Sequence, residues 1–369
     1  MSDSQMGAVR DGAAPVRPIT DPRKERPAWV AGLKKYEMPD SAKVALQLAD
    51  TLIPYFALLA AMYMTMRWRL PYGVTLLIAV PASALFVRTF VFFHDCCHGS
   101  YVRSALGLRV LGNILGVIVF TPYAQWRHSH GIHHSTSGNL DRRGIGDIWT
   151  MTLEEYAAAS KARQILYRVF RNPFVLFGLI PAFAFLIKQR LPNRHSRGSQ
   201  VLSVLFTDAA LAGIIVAASL TIGIKAYLMI QIPVMILGGA AGFWLFYVQH
   251  QFDPSYWTRS EDWESMESAM LGSSYYKLPA VLQWISANIG FHHIHHLRPR
   301  IPNYNLQRCL NDTPELQLPG FLSLGRSLKS MHLKVWDEKQ KVLLTFRETT
   351  RLLRRAAPVG LKAPPPASA

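Results

Sequence analysis

The chain has 369 residues, half of them hydrophobic, and a formal net charge of +17. Its cations sit in tails and loops beside apolar blocks, not on a basic helix interleaved with aromatics, which argues against nucleic acid and for membrane flanks. Three cysteines, Cys96, Cys97 and Cys309, exclude a disulfide framework and suggest a reducing compartment.

Residues 1–42 are polar, basic and Pro-containing, without the early apolar core of a signal peptide, and are expected to form a cytoplasmic tail. A helix needs about 20 apolar residues to cross the hydrocarbon. Stretches 44–66 and 73–93 qualify, as do 201–222 and 225–248. Two shorter stretches, 105–121 and 173–187, are expected to be re-entrant or interfacial. The membrane domain should therefore cover 43–325. Residues 326–369 should form a basic C-terminal segment that ends in a disordered tail, LKAPPPASA.

Of the 13 histidines, all but His195 and His332 fall in four places: 94–98, 128–134, 250 and 292–296. If they share one site, all four places lie on one side of the membrane. Four spans achieve this, whereas a crossing at 105–121 or 173–187 would strand a cluster on the far side. The same side receives Arg23, Lys24, Arg26, Lys34, Lys35, Lys188, Arg190, Arg194 and Arg197. Charge bias thus makes that side cytoplasmic, in a bacterial inner membrane. The expected architecture is an all-α integral membrane protein, four spans under a cytoplasmic helical cap.

HDCCH (94–98) places two imidazoles one helical turn apart. RHSHGIHH (127–134) and HHIHH (292–296) each contain HxxHH, so ligand spacing recurs three times. Eight or nine imidazoles exceed the roughly four ligands of a single zinc site and suit two metals. Cys96 and Cys97 are read as a helix face turned away. His195 and His332 stand alone, as surface residues.

The stretches RTFVFFHDCCHGS (88–100), WRHSHGIHHSTSGNLDRRGIGDIWTMTLEEY (126–156), FYVQHQFD (246–253) and GSSYYKLPAVLQWISANIGFHHIHHLRPRIPNYNL (272–306) resemble the membrane fatty acid desaturases, a His-rich non-haem diiron family. They are most similar to its bacterial acyl-lipid branch, which includes Δ12 (omega-6) and Δ5 enzymes. Cys97 departs from that branch, which usually has glycine there. The resemblance implies that His94, His98, His130, His133, His134, His292, His295 and His296 hold two iron ions, and that His250 matches an isolated ligand preceding the third box. The implied reaction is O2-dependent introduction of a cis double bond into a fatty acyl chain, carried by a lipid, acyl-CoA or acyl-ACP. Neither an HPGG cytochrome b5 motif nor a Rossmann glycine fingerprint is present, so a separate donor, ferredoxin or cytochrome b5, is expected to supply electrons.

Residues expected to support the ligands are His128 and His293, off the pattern, and Asp95, Asp147 and Asp253, beside the boxes. Asp50, Arg88 and Asp208 are added because each falls roughly 8–11 Å inside a span, where ionisable groups usually face an interior site. Trp126, Trp149, Tyr256, Trp257, Tyr275, Tyr276 and Trp284 suit an interfacial belt. A hydroxylase or carotenoid-modifying enzyme on this scaffold would share the ligands. A His-rich metal transporter would carry them at mid-membrane depth, whereas these histidines flank the spans.

Overall fold

Four apolar runs dominate the computed structural model, which describes residues 27–317 and 321–356. The expected disordered tail beyond residue 356 and most of the expected N-terminal tail lie outside those residues. A short helix, α1 (Ala28–Gly32), precedes two long ones, α2 (Ser41–Arg67) and α3 (Tyr72–His98). A bent pair follows, α4 (Ala105–Ile118) and α5 (Tyr123–Thr136). Strand β1 (Met151–Thr152) and helices α6 (Leu153–Ala158), α7 (Lys161–Phe170) and α8 (Ile180–Leu186) lead to the second long pair, α9 (Ser199–Thr221) and α10 (Ile224–His250). The remainder forms a cap: α11 (Ser265–Leu271), β2 (Tyr276–Lys277), α12 (Ala280–Ile285), α13 (His292–Leu297) and α14 (Asn303–Asp312). It continues through β3 (Leu322–Ser323), α15 (Leu324–Ser330), β4 (Val335–Asp337), β5 (Val342–Leu344) and α16 (Phe346–Ala356).

Helices α2, α3, α9 and α10 are each long and apolar enough to cross a bilayer. With 27 residues apiece, α3 and α10 reach about 40 Å, roughly 10 Å beyond the hydrocarbon. The overrunning ends carry HDCCH and His250. Asp40 starts α2 by accepting from the backbone N–H groups of Ala42 and Lys43 at 2.9 and 3.2 Å. Gly99 stops α3 with φ +72°, a left-handed conformation that suits glycine.

Helix α3 is the central element: 61 % of its apolar window is buried, against 22 % for α2. It packs on α2, α10 and α4. Its approach to α10 depends on Gly238, where a Cβ would lie 2.6 Å from the Phe86 ring.

The two weaker apolar stretches form bent pairs. The α4 and α5 axes meet at 96°, and α7 meets the helical segment 175–190 at 62°. The first bend turns at Phe120, with φ 56°, and Pro122 opens α5. Gly116 makes room for that turn, since a Cβ there would stand 2.5 Å from the Thr121 carbonyl oxygen.

Short strands supplement the all-helical framework. β1 pairs parallel with β4, which pairs antiparallel with β5, and β2 runs parallel to β3. Two flanking segments therefore join the folded body. Val30, Leu33 and Tyr36 are buried in a cluster with Met266, Phe291 and Leu306, and β4 is tied to the loop that follows α5. Beneath them lies Arg171, fully buried. Its guanidinium donates to the Trp149 and Leu333 carbonyls, the Thr150 and Tyr247 hydroxyls and Gln251 Oε1.

Gly116→Ala should lower the thermal stability of the detergent-purified protein by roughly 1–3 kcal/mol, the usual range for overpacking. Gly213→Ala in α9, where nothing lies within 4 Å of the added Cβ, should not. Equal melting temperatures for the two variants would refute this account of the bend.

Candidate metal centre

Helical geometry explains how the histidine motifs are divided. Residues at i and i+4 share a face, whereas i+3 points about 60° to the other side. On α3, His94 and His98 lie one turn apart. On α5, His130 and His134 join them, together with His295 from α13, and all five donor nitrogens lie within 4.8 Å of one another. His133 turns the other way, toward His250, His292 and His296, whose donors form a second group of the same tightness. Each HxxHH motif thus serves both groups. All nine histidines that the resemblance implied as ligands are brought together, and they divide five to four.

The contacts within the groups have the form of a ligand set. His134 Nε2 faces the Nε2 atoms of both His130 and His295 at 3.1 Å. His250 Nε2 faces those of His133 and His292 at 3.1 and 3.0 Å. An imidazole nitrogen carries either one N–H or one lone pair, so neither crowd is satisfied by hydrogen bonding alone. His98 Nε2 and His296 Nε2 are buried with no hydrogen-bond partner. Nitrogens about 2.1 Å from a common divalent ion, at right angles, would stand about 3.0 Å apart. The residues fit two metal ions.

Burial prepares them chemically. Desolvation, reinforced by neighbouring imidazoles, drives His130, His134, His292, His295 and His296 well below the usual histidine range. These rings are therefore neutral, the form that coordinates metal.

Outer partners orient the rings. His133 Nδ1 lies 2.8 Å from Asp147 Oδ1, and Asp147 Oδ2 accepts from the Gly144 N–H. His250 Nδ1 lies 3.2 Å from the Gly272 carbonyl. An Nδ1–H donated in each case leaves Nε2 with its lone pair facing the group. His94 Nδ1 lies 3.3 Å from Asp95, whose other oxygen accepts two N–H groups of Asn303 at 2.8 and 2.9 Å. Asn303 was not among the sequence candidates. Nothing local marks it, because 208 positions separate it from Asp95. Trp126, expected in an interfacial belt, stacks on His130 with ring centroids 4.2 Å apart.

Several expected supporting residues are engaged elsewhere. Arg88 and Asp50 pair with each other at 3.7 Å, and Arg88 also bonds the Thr51 hydroxyl and lies over the Trp284 ring. Asp208 pairs with Arg190 at 2.7 Å. Depth in a span marks these charges as costly, but each partner comes from a neighbouring element rather than from the histidines. His128 is exposed on the opposite face of α5. His293 is buried with its Nε2 on the Leu316 carbonyl at 3.0 Å, and burial holds its pKa down to about 4. Asp253 is exposed beyond α10. His195 and His332 are exposed, and Cys96 and Cys97 are buried outside both groups. Of the remaining belt candidates, Trp257 and Tyr276 are buried in the cap.

A fatty acid desaturase family profile matches residues 67–320 and includes all nine histidines. A fatty acid desaturase from Bacillus subtilis is 40 % identical over 85 % of this chain and 88 % of its own length. The chain belongs to the fatty acid desaturase family. This desaturase is an oxidoreductase and an integral membrane protein. It is also similar to two Synechocystis proteins, each at 27 % identity. One is an sn-1 oleoyl-lipid 12-desaturase, with 59 % of this chain and 62 % of the relative covered. The other is an sn-1 acyl-lipid omega-3 desaturase (ferredoxin), with 62 % and 64 % covered.

His250→Ala should lower bound metal and activity together, because Nε2 of His250 stands between His133 and His292. Asp147→Asn should weaken metal affinity by about 10–100-fold while Asp50→Asn leaves it unchanged. Metal analysis of the purified variants checks both. Full metal content in His250→Ala would remove that residue from the site.

Proposed function

We propose that this desaturase inserts a cis double bond into lipid-borne acyl chains in an O2-dependent reaction, with Δ12 (omega-6)-like position. Two iron ions are its cofactor. One is held by His94, His98, His130, His134 and His295, the other by His133, His250, His292 and His296. The observation that carries the reading is the division of nine buried imidazoles into two tight donor groups. The oleoyl-lipid 12-desaturase relative supports the regiochemistry, and the ferredoxin named for another relative supports a separate electron donor, ferredoxin or cytochrome b5.

When bound, the two irons supply dioxygen activation and the oxidising power to take two hydrogens from an unactivated chain. The protein's own residues do the rest. The imidazoles add no negative charge to the site. Asp147 and the Gly272 carbonyl hold the Nδ1 protons of His133 and His250, so these rings cannot turn away. Trp126 and Phe246 pack beside the histidines, with Phe93 against Trp126, and help exclude water. Arginines of α16, Arg347, Arg351, Arg354 and Arg355, together with Arg168, offer a basic surface to an acidic electron carrier.

The topology we propose follows from the convergence of the clusters. His98 and His130 share one group, and His133 and His250 share the other. An even number of crossings therefore separates each pair. With α9 and α10 crossing, the bent pairs 105–136 and 161–190 return to the side from which they entered. The positive flanks make that side cytoplasmic, in a bacterial inner membrane.

Expression in a host lacking polyunsaturated lipids should yield acyl chains lighter by two hydrogens, with the new bond located by mass spectrometry. A gain of one oxygen instead would identify a hydroxylase. Single Ala variants of His94, His98, His133, His134, His295 and His296 should give no product, while His195→Ala and His332→Ala stay near wild type. Wild-type product from two or more of the six would break the shared-site reading.

In a Cys-free, active background, a cysteine replacing Arg194 should resist an impermeant thiol reagent in intact cells and react after permeabilisation. Labelling from outside would reverse α9 and α10.

A further inference from the structure

Helix α5 has two chemical faces. His130, His133 and His134 point to the metal groups, while His128, Gly131 and Ser135 turn toward another side, with Arg127 on the border between the two. These four residues form one wall of a groove of about 1110 Å³, whose other walls are α4 and α9. Leu106, Val110 and Ile114 give α4 an exposed apolar stripe at spacing four, and Leu202 and Phe206 of α9 face the same space. Arg109 and Arg127 are both exposed and both line it. Neither takes part in any ion pair found among the described residues. None of the described lining residues is acidic, and Asn113, Gln200 and Ser135 add neutral hydrogen-bonding groups.

We propose that this groove binds one molecule of an anionic phospholipid, with its phosphate between Arg109 and Arg127 and its acyl chains along α4 and α9. The match is one of charge and polarity together. Two guanidiniums outside the ion pairs found among the described residues complement a phosphate, for which Arg has the favoured geometry. The apolar stripes complement acyl chains, and the membrane that α9 crosses supplies the ligand directly. A soluble phosphate compound would leave the stripes uncovered, and a neutral lipid would leave the arginines without a counter-charge. The groove runs along the helix that presents three of the nine histidines, and none of its lining residues belongs to either donor group, so a lipid held there bears on α5 without entering the metal groups. The inference stands whether or not the catalytic reading above does.

The test is native mass spectrometry of the full-length, detergent-purified chain with three probes: phosphatidylglycerol, diacylglycerol of the same chains, and glycerol 3-phosphate. Wild type should retain phosphatidylglycerol and hold both fragments far more weakly. Arg109→Gln with Arg127→Gln should weaken phosphatidylglycerol retention by about thirtyfold, the loss expected for two charges at a lipid phosphate. Gly131→Phe should weaken it as well, by filling the groove from a helical position where nothing lies within 4 Å of an added Cβ. The two variants alter different parts of the groove, so a folding defect in either leaves the other as the test. Wild-type retention in a folded variant of either kind would overturn the proposal. So would diacylglycerol binding as well as phosphatidylglycerol, which is ordinary annular contact, or glycerol 3-phosphate doing so, which is a phosphate site without a lipid groove.

Discussion

Nine imidazoles drawn into two groups, each with its donor nitrogens within 4.8 Å of one another, form the constraint on which the rest of the fold depends. Buried polar nitrogens without hydrogen-bond partners oppose folding, and several of these atoms have none. Such an arrangement is sustained by surrounding structure and has the donor set that metal ions would complete. The surrounding structure meets the need in three ways. Helices α3 and α10 overrun the bilayer and carry histidines on the excess length. The α4–α5 pair bends by 96°, and α5 packs on the end of α3. The short α13, buried against α11, closes the groups from the cap.

The elements that fix those positions are polar and lie outside the groups. Arg171 is the strongest of them, a fully buried guanidinium bound to carbonyls, hydroxyls and the Gln251 side chain, with no carboxylate among its hydrogen-bond partners. It joins the Trp149–Thr150 segment to the end of α10 and to Leu333. The first of these segments follows Asp147, which orients His133, and the second carries His250. Asp95 does the same between α3 and α14 through Asn303. Both are junctions at which one buried side chain satisfies several backbone or amide groups, so that removing either would leave many partners unpaired.

Helix α5 shows how little sequence is needed to separate two roles. The imidazoles of His130, His133 and His134 turn toward the donor groups, while His128, Gly131 and Ser135 turn toward the groove, with Arg127 on the border between them.

The sequence by itself determined the membrane framework and the histidines that the fold brings together. Runs of about 20 apolar residues can bury their backbone in lipid only as helices, and histidine spacings of three and four have meaning only on such helices. Tertiary structure alone decided how the ligands divide, because the turn that parts His133 from His130 and His134 gains significance only when His250 and His292 arrive on its side. It also decided the fate of Asp50, Arg88 and Asp208. Their depth in the spans was legible, but a charge at that depth is stabilised by its nearest partner in space. For Asp50 and Arg88 that partner is each other, for Asp208 it is Arg190. Asn303, Arg171 and the return of residues 28–36 to the cap were not legible, since each depends on contacts between residues far apart in the chain, which local periodicity does not encode.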